Sequence, residues 1–238
     1  MSSPGDAIRI DKVASPSTSL PGVVLLACGS FNPPHNGHLR MLELAKEHLE
    51  GESKARVLGA YMSPVSSHYA KAGLVGETHR IAMCEIATEA SPFIMVDDWE
   101  ARQPEWSRTL DVLHSVRTRS RATLGSQDLR VMIVCGSDLI ESFTVPNLWS
   151  EAHLRSLVVE NGIVCISRTG YDGSATLDSI PALVQAKEEW NVHFVENDFM
   201  SDLSSTKLRK ALAENEPIEG MAPQGVADYI RKHSLYKS

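Results

Sequence analysis

Two stretches near opposite ends of this chain combine residue types and spacings that could handle phosphate. The first is Gly29-Ser30-Phe31-Asn32-Pro33-Pro34-His35-Asn36-Gly37-His38, which follows an apolar run at 23–28 and opens a segment of helical periodicity through Leu39, Leu42, Ala45 and Leu49. A glycine at a strand's carboxyl end lets the backbone approach a ligand closely, and free amides at a helix start point toward an anion. The two imidazoles of the HxGH spacing, His35 and His38, can donate to phosphate oxygens, the more so where a neighbouring anion favours the protonated ring. An isolated HxGH reads equally well as a proline-rich turn with a surface histidine pair. Its place between a strand and a helix favours the anion site, with His38 ranked well above His35.

The second stretch is Leu203-Ser204-Ser205-Thr206-Lys207-Leu208-Arg209-Lys210. A serine is placed to cap a helix, yet the first turns carry three cations, where the helix dipole disfavours positive charge by roughly 0.3–1 kcal/mol each. A bound polyphosphate resolves that conflict by taking the Thr206 hydroxyl, backbone amides and the Lys207 and Arg209 side chains together. The competing reading is a solvated basic face screened by salt.

These groups need a scaffold, and the apolar pattern supplies one. Strands are predicted at 23–28, 56–62, 93–96, 131–135, 163–167 and 193–195, and helices at 77–90, 108–116, 205–214 and 224–233 besides the one after His38. Residues 117–129 are polar and read as a surface loop. Residues 1–21, rich in Ser, Pro and Gly, read as a flexible tail, leaving 22–238 as a single domain. Apolar strands alternating with amphipathic helices imply an α/β, Rossmann-like fold: a mostly parallel sheet with helices on both faces and ligands at the carboxyl ends of its strands.

Composition narrows the chemistry. The chain has 238 residues, a formal net charge of −7 and four cysteines without a CxxC pair. A negative protein is a poor general ligand for nucleic acid. Dispersed cysteines, three of them in apolar runs, indicate a reducing compartment. No apolar run approaches the ~18 residues that a membrane span requires, and no leader pattern is evident. An intracellular address, cytoplasmic or nuclear, is expected. A symmetric homo-oligomer is a general prior. The signatures of a P-loop, a dinucleotide GxGxxG, an HExxH zincin and a GxSxG hydrolase are all missing.

The ordered set formed by Gly29 to Pro33, HxGH at His35 to His38, Ser63-Pro64-Val65, His79-Arg80, Trp99-Glu100, Trp106, Cys135-Gly136-Ser137-Asp138, Glu141-Ser142-Phe143, Val145 to Trp149 and Ser204 to Arg209 resembles the eukaryotic-type nicotinamide/nicotinate mononucleotide adenylyltransferases, within the HxGH nucleotidyltransferases. The resemblance implies adenylyl transfer from ATP to nicotinamide or nicotinate mononucleotide. It implies that His38, Lys207 and Arg209 are catalytic. ATP would meet His35, His38, Gly136, Asp138, Ser205, Thr206, Lys207, Leu208 and Arg209. The mononucleotide would meet Gly29, Ser30, Phe31, Lys71, Arg80, Trp106, Thr109, Leu148, Trp149 and Arg168. Mg²⁺ would travel on ATP oxygens and water, with no protein metal site. Asp138 could equally be a helix N-cap, Arg80 a surface ion-pair partner, and the two tryptophans core aromatics. HxGH enzymes acting on other phosphorylated acceptors, and a catalytically silent nucleotide-binding or chaperone-like protein, are the alternatives.

Overall fold

The computed structural model describes residues 7–15, 20–52, 55–69, 71–167, 169–184, 187–189, 191–197 and 203–237. Its strands are β1 (Gly22–Gly29), β2 (Arg56–Pro64), β3 (Ile94–Val96), β4 (Arg130–Gly136), β5 (Ile163–Ser167) and β6 (Val192–Glu196), in the order β3-β2-β1-β4-β5-β6. All neighbours are parallel. The chain therefore begins in the middle of the sheet, winds out to β3, returns beside β1 as β4 and winds the other way. The direction reverses between β1 and β4, where open α/β sheets form their ligand crevice.

The register shows how that crevice opens. β1 and β4 pair only as far as Leu26 opposite Ile133, whereas β1 stays with β2 through Gly29 opposite Pro64, and β4 stays with β5 through Gly136 opposite Ile166. Residues 27–29 and 134–136 thus part at the carboxyl end of the sheet.

Both faces of the sheet are buried, which is why its strands are continuously apolar rather than alternating. Val24, Leu26, Val131 and Ile133 pack with Leu113 and Val116 of helix α3 (Thr109–Leu124) on one face. Val23, Leu25, Met132 and Val134 pack with Leu42, Ala45 and Leu49 of α1 (Asn36–Gly51) on the other. A third cluster joins Met83 of α2 (Glu77–Thr88), Leu208 of α8 (Ser205–Ala213), and Val226 and Ile230 of α9 (Gln224–Lys232). Full burial of a side chain the size of Leu208 stabilises by about 1.5–3 kcal/mol, and here it fastens the start of the basic helix to the body. Four short α-helices, α4 (Ser137–Ser142), α5 (Glu151–Arg155), α6 (Gly173–Asp178) and α7 (Pro181–Val184), a π-helical segment (Ser156–Asn161) and a 3-10 turn (Lys187–Glu189) complete the described chain. Each is too short for apolar periodicity to reveal it in sequence.

Two expectations differ from the structure. The polar stretch 117–129 is helical as far as Leu124, where Gly125 (φ 63°) closes α3 in the left-handed conformation. Its arginines are bound rather than solvated: Arg119 makes a bidentate pair with buried Asp97 (2.8 and 2.6 Å), and Arg117 donates to Asn161 Oδ1 (2.9 Å). The stretch 1–21, expected as a loose tail, is packed over residues 8–14. Ile8 is 3% exposed, Lys12 Nζ donates to the carbonyls of Thr88 and Ile94, and the Ala14 amide donates to Leu58 O. No described helix is long and apolar enough to cross a membrane. The four cysteines are free thiols.

Candidate nucleotide site

The loop from Gly29 to Asn36 rises out of β1 at the crevice and is held from every side. Asn32, fully buried, is its anchor. The Asn32 side chain donates to Gly73 O (2.8 Å) and accepts from the Val75 amide (3.2 Å) and the Tyr236 hydroxyl (2.7 Å). Arg80 supports the loop from below, its Nε, Nη1 and Nη2 donating to the carbonyls of Val75 (2.8 Å), Ser30 (3.2 Å) and Val65 (2.6 Å). At 0% exposure this guanidinium is committed to backbone carbonyls. Arg80, expected at the mononucleotide, is placed as a positioning residue for the loop that carries Ser30.

Above it, Lys71 Nζ donates to Ser30 Oγ (3.1 Å), so a cation and a hydroxyl lie together at the loop surface. Gly29 ends β1, and a Cβ there would stand 3.2 Å from the Phe31 ring. Phe31 is buried in turn and meets the His38 ring edge-on at 4.9 Å. His35 caps α1 and stacks on His38 with centroids 3.6 Å apart. His38 Nδ1 accepts from the His35 amide (3.1 Å), which leaves the ring proton of the neutral form on Nε2, free to donate. Burial lowers the His35 ring to about 4, and burial together with the His35 charge holds His38 well below the usual imidazole range. Both shifts favour the neutral rings at physiological pH.

The basic helix α8 meets this loop directly. Ser205 Oγ donates to Pro33 O (2.8 Å) and Arg209 Nη1 to Asn32 O (2.8 Å), contacts between residues 172 and 177 positions apart. Arg209 Nη2 also reaches Thr206 Oγ1 (3.3 Å). Ser204 caps the helix by accepting from the Lys207 amide, while the Ser205 and Thr206 amides, in the first turn, have no intrahelical acceptor. The two stretches expected to meet phosphate are thus brought into direct contact. Leu208 is the exception within this segment. Its side chain is in the core, and its amide is committed to Ser204 O.

At the other wall, Gly136 ends β4 and is the N-cap of α4, whose second residue is the exposed Asp138. Asp138 is therefore not the cap, and its carboxylate approaches Gly136 closely enough that a Cβ there would stand 2.9 Å from it. Trp149 is anchored by its Nε1 on Ser142 Oγ (3.1 Å) and by edge contact with Phe143 at 5.2 Å. Trp106 and Leu148 are 53% and 57% exposed, while Thr109 begins α3. Arg168 lies outside the described residues. His79 is a helix-joining histidine, with Nδ1 3.0 Å from the Tyr229 hydroxyl of α9.

Sequence reasoning assigned no task to Asn32, Tyr236 or the buried pair Ser63 and Glu100. A polar residue between Phe31 and the two prolines was the available signal for Asn32. Ser63 Oγ donates to Glu100 Oε2 (3.0 Å). Burial raises the Glu100 carboxyl to about 7, against the opposing effects of the Ser63 hydrogen bond and the Arg80 charge. The folded state therefore holds this proton more tightly than the unfolded chain. The corresponding stability is fully present below about pH 4.5 and is lost as pH rises to about 7, on the order of 3 kcal/mol in all. Glu100→Gln, which keeps an acceptor for Ser63, should flatten that slope. Chemical denaturation at pH 5 and pH 8 should show the variant gaining on the wild type only at the higher pH, and an unchanged slope would refute this account.

A family model described as cytidylyltransferase-like matches residues 26–211, from β1 through α8. The nicotinamide/nicotinic acid mononucleotide adenylyltransferase of Arabidopsis thaliana is 42% identical over 216 residues, covering 90% of this chain and 90% of its own. Adenylyltransferase 1 of the same description from Bos taurus is 36% identical over 252 residues, covering 91% and 89%. Among solved structures, Plasmodium falciparum nicotinic acid mononucleotide adenylyltransferase complexed with NaAD matches with a TM-score of 0.64 at 21% identity, covering 90% of this chain and 97% of that one. That last likeness is one of fold. With identity of this order running the length of both chains, and with the HxGH loop and the basic helix built into one crevice, this chain belongs to the nicotinamide/nicotinic acid mononucleotide adenylyltransferases.

Proposed function

We propose that this protein transfers AMP from ATP to nicotinamide mononucleotide and nicotinate mononucleotide, giving NAD and deamido-NAD with release of pyrophosphate. The observation that carries the reading is the joining of the α1 and α8 starts through Ser205 to Pro33 and Arg209 to Asn32, at the point where β1 and β4 part. Two helix starts aimed into one crevice suit a reaction between two phosphorylated molecules.

An oxygen of the mononucleotide phosphate attacks the α-phosphorus in line, a new P–O bond forms, and the bond from the α-phosphorus to the bridging oxygen of pyrophosphate breaks. The attacking phosphate is ionised at neutral pH, so no general base is needed. Alignment and charge stabilisation are the catalytic work. The Nε2–H of His38 donates to the phosphates at the reaction centre. Lys207, Arg209, Thr206 and the amides of Ser205 and Thr206 hold the departing β- and γ-phosphates. Ser30 and Lys71 receive the mononucleotide phosphate, with Gly29 and Phe31 shaping its approach. Trp149, Trp106, Thr109 and Leu148 wall the pyridine ring, an indole offering a flat face. Gly136 and Asp138 face the adenosine, with Arg168 assigned to the same cleft. The groups bonded to the loop are amides, imidazoles and cations, a donor set for phosphate rather than for a hard cation. Mg²⁺ accordingly fits as the counter-ion of ATP, carried by phosphate oxygens and water, and would supply neutralising charge to the leaving group.

Incubation with ATP, Mg²⁺ and, separately, nicotinamide mononucleotide, nicotinate mononucleotide or phosphopantetheine tests the assignment. Chromatography should find dinucleotide and pyrophosphate with both pyridine substrates and none with phosphopantetheine. Pyrophosphate release only with phosphopantetheine would move the protein to another acceptor.

A further inference from the structure

A second constellation of chemically competent side chains lies at the far end of α1 from the HxGH loop. His48, in the last turn of α1, and Glu52, its C-cap, are four residues apart and share a helix face. His193, near the start of β6, reaches the same point from the sheet edge. His48 Nε2 lies 3.2 Å from His193 Nδ1 and 3.7 Å from Glu52 Oε2, and the three donor atoms all fall within 4.8 Å of one another. Ligand atoms at about 2.0–2.2 Å from a tetrahedral zinc ion stand about 3.3–3.6 Å apart. Two of the three separations are therefore within a few tenths of an ångström of a metal's requirement. The third is no more than 4.8 Å, and the Glu52 side chain, 46% exposed, lies at the surface where a carboxylate can reorient.

We propose that His48, Glu52 and His193 form a binding site for one zinc-class divalent ion, with water in the fourth position. Three features of the arrangement support it beyond proximity. The donor set of two imidazoles and one carboxylate suits Zn²⁺ and its transition-metal neighbours and discriminates against Mg²⁺, which takes oxygen ligands. The ion would sit at the carboxyl end of a sixteen-residue helix, where the macrodipole favours positive charge. The two histidines come from different elements, so the ion would tie α1 to β6 where a 3.2 Å hydrogen bond joins them in its absence.

The site is separate from the nucleotide crevice. Ten helical residues between His38 and His48 correspond to about 15 Å along α1. The ion touches no reacting atom and instead clips the end of α1 to β6. The first of these elements begins at HxGH, and the second is the edge strand of the sheet. An ion that binds only the folded state stabilises it by RT ln(1 + L/Kd), where L is the free ion concentration, so the melting temperature keeps rising with the logarithm of L after the site is full.

The test uses the full-length chain without a histidine tag, stripped with chelator. Zn²⁺ is titrated against a chromophoric competitor, and Co²⁺ is followed by its visible absorption. The wild type should bind one equivalent of either ion with an excess of Mg²⁺ present. Outer-shell substitutions weaken metal sites by about 10–100-fold, so losing a direct ligand in His48→Gln or His193→Gln should cost at least about 100-fold. Both variants should keep adenylyl transfer, since neither residue touches the crevice. If one variant fails to fold, the other and Glu52→Gln decide the matter. Histidine ring ¹⁵N spectra give a second readout, because zinc should leave the ring proton of His48 on Nδ1 and that of His193 on Nε2. Failure of the wild type to bind Zn²⁺, or binding that survives in the histidine variants, overturns the proposal. Loss of the assigned transferase reaction would not bear on it.

Discussion

Replacing His38 by alanine should lower kcat by about 10²–10³-fold, the cost of deleting one preorganised donor to a charged transition state. The size follows from how the ring is held. His38 is fixed by Phe31 at its edge and His35 on its face, and its Nδ1 is occupied by the His35 amide. Its Nε2–H is therefore aimed before substrate arrives. Alanine also strands the His35 amide, at a cost to folding of about 1–3 kcal/mol. His38→Asn is the sharper variant, because the shorter side chain can still accept from that amide but no longer reaches the phosphates. Steady-state kinetics should show both variants crippled in kcat, with ATP still bound and only the alanine variant measurably less stable. Near-normal turnover in His38→Asn would remove the ring from the mechanism. In the free protein, histidine ring resonances should show His38 neutral through pH 6.5, since burial holds it well below that value.

Arg209→Ala should be nearly as severe, at about 10²-fold or more in kcat/KM, and Arg209→Lys should rescue little of it. The guanidinium spends one nitrogen on Asn32 O and another on Thr206 Oγ1, and in the proposed reaction it also holds the departing pyrophosphate. A lysine ammonium is a point charge without that fork and cannot satisfy the loop, the hydroxyl and a phosphate in one geometry. Kinetics in both substrates should show KM for ATP rising and kcat falling together. A lysine variant with wild-type kcat/KM would mean that charge alone suffices and that the bond to Asn32 is incidental. Arg80 offers a contrast. Its three carbonyl contacts lie beneath the loop, so its loss should appear first in the melting temperature and in KM for the mononucleotide.

What could be read directly from the residues was local. The strand, loop and helix around HxGH announce themselves because a continuous apolar run, a Gly/Pro turn and a 3.6-residue period succeed one another within thirty positions. The basic start of α8 was legible because three cations oppose the helix dipole, a conflict visible without coordinates. Continuous rather than alternating apolar strands announced a sheet covered on both faces. What remained hidden depended on partners remote in the chain. Arg119 and its neighbours looked like a solvated loop because the buried Asp97 that receives Arg119 is supplied by another segment. Leu208 reads as part of a phosphate motif, yet its side chain completes the packing of α2 and α9. Arg80 reads as a ligand cation, yet carbonyls brought together by folding surround it. Asn32 had no visible task until Gly73, Val75 and Tyr236 converged on it. The same holds for His48 and His193, 145 residues apart. Residue type and period determine which elements form and which face each buries. Only the closing of the chain decides which polar atoms meet across them, because a hydrogen bond between distant residues leaves no period in the sequence.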